Sequence, residues 1–169
     1  AAAQGTRWSM DPGWRFTLAD PAGAEAPRFD DRAWRPLDLP HDWSIEGTPR
    51  EDAPGGGRVG YFPGGIGWYR KAFRLPPGSR GREFRLEFDG VYMNSDVWIN
   101  GVHLGRRPYG YIGFAYDITK HLVAGVNVVA VRVDNSRQPN SRWYTGSGIY
   151  RHVWLTIADP LHVGHWGVS

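Results

Sequence analysis

The 169-residue chain contains no cysteine, which excludes both a disulfide framework and a thiolate zinc site. Lysine is nearly absent too: two Lys stand against eighteen Arg, and the formal net charge is only +3. The densest basic run is Arg106-Arg107, and the other cations alternate with Asp and Glu. A surface that tracks phosphates needs its Lys and Arg concentrated on one element, so no nucleic-acid partner is expected. No apolar run approaches the roughly 18 residues of a membrane helix, and no membrane partner is expected either. Helical periodicity is scarce, because Gly, Pro, Asn and Asp interrupt almost every window that a helix would need. Two short turns are the exceptions: Asp30 to Trp34, with an Asp cap, and Asp117 to Leu122, ended by Gly125.

What is present is aromatic and β-prone. Nine Trp, eight Tyr and seven Phe supply ample area for a core. The 23 Gly and 13 Pro stay below the share, about 25–30%, at which low-complexity disorder becomes the better description. Strand signals recur at Trp14–Leu18, Trp34–Leu39, Trp68–Leu75, Glu83–Asp89, Asp96–Asn100, Val102–Arg106, Ile112–Ile118, Asn127–Asp134 and His152–Ala158. Phe84, Leu86 and Phe88 alternate with charges, which predicts a strand with one wet face. Val126 to Val133 is almost continuously apolar and belongs in the middle of a sheet, covered on both faces. Asn100-Gly101 between two alternating runs predicts a tight type I′ hairpin. Short strands, Gly/Pro punctuation and no crossover helices together predict an all-β, antiparallel jelly-roll sandwich.

Two stretches exceed hairpin length, Ser44 to Ile66 and Asn135 to Ile149. Loops longer than about 12–15 residues are usually functional or disordered, and the second carries Arg, Trp and Tyr. Catalytic patterns find little support. His162-x-x-His165 lacks the helical context and third ligand of a metal site. His41-Asp42 reads as a polar loop opening after Pro40. Gly146-Ser147-Gly148 lacks the spacing of a nucleophile elbow and is explained by turn chemistry. No cofactor, metal site or catalytic residue is assigned. The remaining chemistry is that of Asn140, Arg142, Trp143 and Tyr144: an aromatic face and planar hydrogen-bonding groups suit a sugar. The competing reading folds Trp143 and Tyr144 back as a lid and pairs Arg142 with a surface acid. Trp98 and Trp154, on strands, are expected in the core.

Four motifs in order, Pro40-His41-Asp42-Trp43, Gly64-Gly65-Ile66-Gly67-Trp68-Tyr69-Arg70-Lys71, Phe88-Asp89-Gly90-Val91-Tyr92 with Val97-Trp98-Ile99-Asn100-Gly101, and Asn140-Ser141-Arg142-Trp143-Tyr144-Thr145-Gly146-Ser147-Gly148-Ile149-Tyr150-Arg151, closely resemble the amino-terminal sugar-binding domain of glycoside hydrolase family 2. The resemblance runs from about Trp8 to Pro160 and points to the β-galactosidase-like members. It implies a galactose-binding-like jelly roll over residues 1–160, with 161–169 opening an immunoglobulin-like domain.

The resemblance also implies that a separate (β/α)₈ barrel, of roughly 250 residues, carries the two catalytic Glu about 5–5.5 Å apart. The parent protein is then a glycoside hydrolase, while this chain by itself has no glycosidase activity. Its partners would be a β-galactoside-like carbohydrate and the immunoglobulin-like and barrel domains. Matching motif to motif, the substrate-binding positions are Asp42, Asn140, Arg142, Trp143 and Tyr144, with Gly60-Tyr61 a weaker addition. An Arg at 142, where some members carry an acid, suits a substrate carboxylate or a domain interface as well as a hydroxyl. The alternative from another class is an autonomous carbohydrate-binding module. The opening Ala1-Ala2-Ala3-Gln4 resembles either the flank of a signal-peptide cleavage site or a cloning remnant, and the expected location is periplasmic or secreted.

Overall fold

The structure, a computed structural model, describes residues 5–46, 64–137 and 145–160. Among the described residues ten strands make two antiparallel sheets: β1 (Thr6–Ser9), β2 (Trp14–Thr17), β3 (Arg35–Leu37), β4 (Gly65–Arg74), β5 (Glu83–Phe88), β6 (Ser95–Ile99), β7 (Val102–Arg107), β8 (Phe114–Asp117), β9 (Val126–Asn135) and β10 (Val153–Ala158). One sheet runs β1-β10-β5-β8 and the other β3-β2-β4-β9-β6-β7, and the chain crosses between them six times. The expected antiparallel sandwich is the fold. Two 3₁₀ turns, at Trp43–Ile45 and Thr119–His121, are the only helical elements among the described residues, and no described helix is long and apolar enough to cross a membrane.

The core lies between the inner faces. Trp14, Phe16, Tyr69, Val97, Val129 and Val131 of the larger sheet meet Phe84, Leu86, Phe88, Val153, Leu155 and Ile157 of the smaller. These residues come from alternate strand positions, as the period of two requires. β9 is central, paired over its length with β4 from Gly65↔Asn135 to Arg74↔Val126. Its inward valines join the main core, while Ala130 joins a second cluster on the outer face with Ala24 and Trp68. Both faces of β9 are thus covered, as its continuous apolar run predicts.

The cover on the outer face is the connection from β2 to β3, and two arginines hold it there. Arg70, 1% exposed, donates to Asp31 at 2.8 Å and to the Ala24 carbonyl. Arg132 grips the Asp20 carboxylate through Nε at 2.9 Å and Nη2 at 2.8 Å. A buried guanidinium is tolerable only when its donors are met, and here backbone carbonyls meet them.

Each of the nine expected strands has a counterpart. The missed one, β1, is a four-residue edge strand whose residues are all exposed, so it carries no alternation to detect. The Asn100-Gly101 hairpin forms with φ of 50° and 82°, and Ile99 faces Val102 across it. The Asn100 side chain also donates to the His121 carbonyl and accepts from Val128 N–H, at 2.8 and 2.9 Å. Residues 30–34 make a turn closed by Trp34 N–H to the Asp31 carbonyl, 2.9 Å, rather than a helical turn.

Two other expectations change. The second face of β5 is not wholly wet, because Glu87 is 7% exposed, paired with Arg7 at 3.2 Å and accepting from Thr156 at 2.9 Å. Neither Trp98 nor Trp154 is in the main core. Trp98 stacks on Trp68 in the outer cluster with centroids 5.2 Å apart, and Trp154 donates to Asp89 at 2.9 Å beneath the Arg7 guanidinium.

Candidate functional site

Described parts of the first and last motifs come together where the segment entering the Trp43–Ile45 turn runs beside residues 147–149. His41 N–H donates to the Ile149 carbonyl at 2.8 Å and Trp43 N–H to the Ser147 carbonyl at 3.0 Å. Asp42 lies between them with extended backbone, φ −132° and ψ 104°, and caps the turn. Its Oδ1 accepts from Ser44 N–H at 2.9 Å, Ser44 Oγ at 2.6 Å and Ser147 N–H at 2.8 Å. The Asp-x-Ser spacing supplies the first two locally; the third joins positions 105 residues apart.

The crowding explains the glycines. A Cβ at Gly146 would come within 2.6 Å of Asp42 Oδ2, and one at Gly148 within 2.8 Å of the His41 carbonyl. Gly148 also has φ of +121°, a conformation that L side chains rarely adopt. Below the turn Trp43 is 3% exposed and packs on Phe16 with ring centroids 5.7 Å apart.

His41 is not the polar loop residue that the sequence suggested. It is 7% exposed, with Nδ1 2.6 Å from the Tyr69 hydroxyl and Nε2 3.0 Å from Glu46 Oε1. Nε2 is also 3.0 Å from Arg35 Nη2, so the ring stands between an acceptor and a donor on that side, and its tautomer follows which of the two it serves. Glu46 in turn is held by Arg35 at 2.5 Å, on the edge strand β3. Burial pushes the His41 pKa below its ordinary value against the pull of Glu46, so the imidazole is neutral at pH 7. Burial also tends to raise Glu46, but the hydrogen bonds from Arg35 and His41 outweigh it and hold the carboxyl below its ordinary range. The Tyr69 phenol, buried in the core, is raised well above its ordinary value. Asp42 and Glu46 bracket the turn, and His41 ties its far end back to the core.

Beside the turn lies a cleft of about 570 Å³, lined by Phe16, Leu18, Trp34, Arg35, Trp43 and Glu46 among others. Phe16 and Trp43 are almost wholly buried in its floor, so the half-buried Trp34 ring and the Arg35–Glu46 ion pair are what the cleft presents to solvent. Among the described residues, no group of three or more His, Asp or Glu is placed to hold a metal ion.

Of the sequence-derived site residues, Asp42 is placed as described. Asn140, Arg142, Trp143 and Tyr144 lie outside the described residues, as do Gly60, Tyr61, His162, His165 and the stretch 161–169. The flanks of that first group are described, and the Asp42–Ser147 contact anchors the one that follows it. Sequence reasoning missed the His41–Glu46–Arg35 chain and the part played by Ser147. The Asp-x-Ser spacing could have revealed the turn, but no local signal announces a contact across 105 residues.

The model of the family described as glycosyl hydrolases family 2, sugar binding domain, matches residues 62–159. The β-galactosidase BoGH2A of Bacteroides ovatus is 57% identical over 162 residues, which is 95% of this chain and 19% of that protein. A β-glucuronidase of Formosa agariphila is 34% identical over 177 residues, 96% of this chain and 18% of its own length. Among solved structures, a β-glycosidase from Bacteroides vulgatus superimposes with a TM-score of 0.90 at 47% identity, covering 92% of this chain and 20% of that one. The chain therefore spans about one fifth of the length of these relatives.

Proposed function

The chain belongs to the glycosyl hydrolases family 2 sugar binding domains, and from that premise we propose that it is the non-catalytic sugar-binding sandwich of a β-galactosidase-like enzyme. In this reading it buttresses a catalytic barrel and lends the Asp42 turn and the 138–144 segment to the rim of the substrate pocket. The observation that carries it is the Asp42 carboxylate, which joins the turn to the backbone just after that segment. The turn and the backbone at Ser147, 105 residues apart in sequence, are thereby joined, which supports this reading. Asn140 and Arg142 offer planar hydrogen-bonding groups and Trp143 and Tyr144 offer ring faces, which is the chemistry a sugar requires. The galactoside class is taken from the 57% identical relative.

On this reading the chain holds one wall of a pocket whose reacting carboxylates come from the barrel. Half a pocket loses most of its contacts, so the isolated chain should show no measurable binding when titrated with β-galactosides by calorimetry. An autonomous carbohydrate-binding module would instead bind at about micromolar to millimolar strength. A clear signal that Trp143→Ala abolishes would favour the module and defeat the proposal.

A further inference from the structure

The buried His41 imidazole has a different kind of partner at each nitrogen. Nδ1 lies 2.6 Å from the Tyr69 hydroxyl of β4. Nε2 lies 3.0 Å from Glu46 Oε1, an acceptor, and 3.0 Å from Arg35 Nη2, a donor on β3. Asp42, next in the chain, adds a carboxylate whose Oδ1 is committed to Ser44 and Ser147. The other two elements packed here bring no charge. Phe16 of β2 meets the imidazole edge-on with ring centroids 4.6 Å apart, and the segment at Ile149 accepts the His41 N–H through its carbonyl.

A neutral imidazole, with one N–H and one bare nitrogen, suits this arrangement in two ways. It can donate to Tyr69 and accept from Arg35, or accept from Tyr69 and donate to Glu46. An imidazolium has two N–H groups and no acceptor. Its Nε2–H serves Glu46 but opposes Arg35, donor against donor and cation against cation. Its Nδ1–H makes the Tyr69 oxygen an acceptor, although that oxygen already takes a backbone hydrogen bond from Ile149. The phenol proton then loses its partner at a wholly buried residue, against whose hydroxyl Gly148 leaves no room for even a Cβ. Stranding a buried donor is costly. One movement relieves both faults: Arg35 swings into solvent, where half of its side chain already lies, and the imidazolium leaves Tyr69 together with Glu46.

We infer that His41 is a proton-operated latch on the Asp42 turn: uptake of one proton frees the turn from Arg35 and Tyr69, and with it the hold of Asp42 on Ser147. The consequence for a sugar rests on the role proposed above. The wall that carries Asp42 is formed at neutral pH and loosens in mild acid. Burial sets the sign, because it holds the closed-state His41 pKa below the ordinary 6.5. The opened turn therefore takes up the proton more readily than the closed one, and falling pH favours opening.

Amide hydrogen exchange of the chain, followed by NMR and corrected for its intrinsic pH dependence, tests the latch without a ligand. The Ser44 and Ser147 N–H groups should exchange faster than Val131 N–H on the central strand β9, because the turn opens while the sandwich stays folded. Their protection should fall by about threefold or more between about pH 7.5 and pH 5.5. Arg35→Gln, at a half-exposed site, removes the opposing cation and leaves Glu46, so the fall should shrink; His41→Gln should abolish it. Exchange of both amides at the Val131 rate would overturn the latch, as would protection that does not change with pH. A fall as large in Arg35→Gln as in the native chain would overturn it too, and that variant decides the matter if His41→Gln does not fold. In the full-length parent, KM for a β-galactoside should rise over the same pH range, and less so in Arg35→Gln. A KM that stays flat while the turn opens would uphold the latch and overturn the sugar-binding role of the turn.

Discussion

Replacing Asp42 by alanine removes an acceptor that three donors share. Ser44 N–H and Oγ lose their cap, and Ser147 N–H loses its partner at a residue only 1% exposed. Loss of a side-chain cap costs about 1 kcal/mol. Stranding a buried N–H costs about 1–3 kcal/mol more. The sum, about 2–4 kcal/mol, corresponds to a fall in melting temperature of about 4–16 °C for a domain of this size. Urea denaturation should show the loss as a lower midpoint at an unchanged slope, since the surface exposed on unfolding stays the same. Asp42→Asn is the informative control. Its amide oxygen can still accept from both backbone N–H groups, so less than half of the loss is expected. If Asp42→Ala unfolds within about 0.5 kcal/mol of the native chain, the change is no larger than that of an ordinary surface substitution. The carboxylate then does not join the turn to residues 147–149, and the geometric support for the functional reading fails.

Gly67→Ala should destabilise by about 1–3 kcal/mol in the same assay, because the added Cβ would lie 2.7 Å from Trp43 and 2.9 Å from Phe16 in a filled core; a neutral result would refute close packing of Trp43 on this strand. His41 makes stability depend on pH. Its folded pKa lies below the ordinary 6.5, so on acidification the unfolded chain takes up the proton first. Stability should therefore fall as pH drops below about 6.5, and level off once the folded pKa is passed. Glu46, lowered in the fold, adds a loss that begins only below its ordinary 4.5. Denaturation of the native chain and of His41→Gln at pH 7 and pH 5.5 separates them: the native chain should lose more, and equal slopes would clear His41 of the effect.

The strands were legible because their signals are local. The run Val126 to Val133 could only be satisfied with both faces covered, and the Asn-Gly pair supplied the two positive φ angles of a hairpin. What stayed hidden is what depends on distant partners. Glu87 looked wet until Arg7, from a strand with no pattern of its own, came to lie beside it. Trp98 looked like core because nothing near it in sequence shows that the connection after β2 folds over the outer face to meet it. Arg70 explains that cover. Its carbonyl partners lie more than 40 residues earlier, in a stretch whose own composition reads as plain loop.

The Gly146-Ser147-Gly148 sequence shows how a local reading can be right in kind and miss the reason. Turn chemistry accounts for two small residues flanking a serine, but the glycines stand where other groups come too close for a side chain. Gly146 clears the Asp42 carboxylate and Gly148 clears the His41 carbonyl. Between them Ser147 is buried, its N–H given to Asp42 and its hydroxyl receiving a hydrogen bond from Asn135 at 2.6 Å. Asn135 closes β9 before the 138–144 segment and Ser147 stands just after it, so the two ends of that segment are tied to each other as well as to the Asp42 turn. With Asn135 and Ser147 joined, the chain between them is closed within the fold itself, so the entropy of that closure is already met before any ligand arrives.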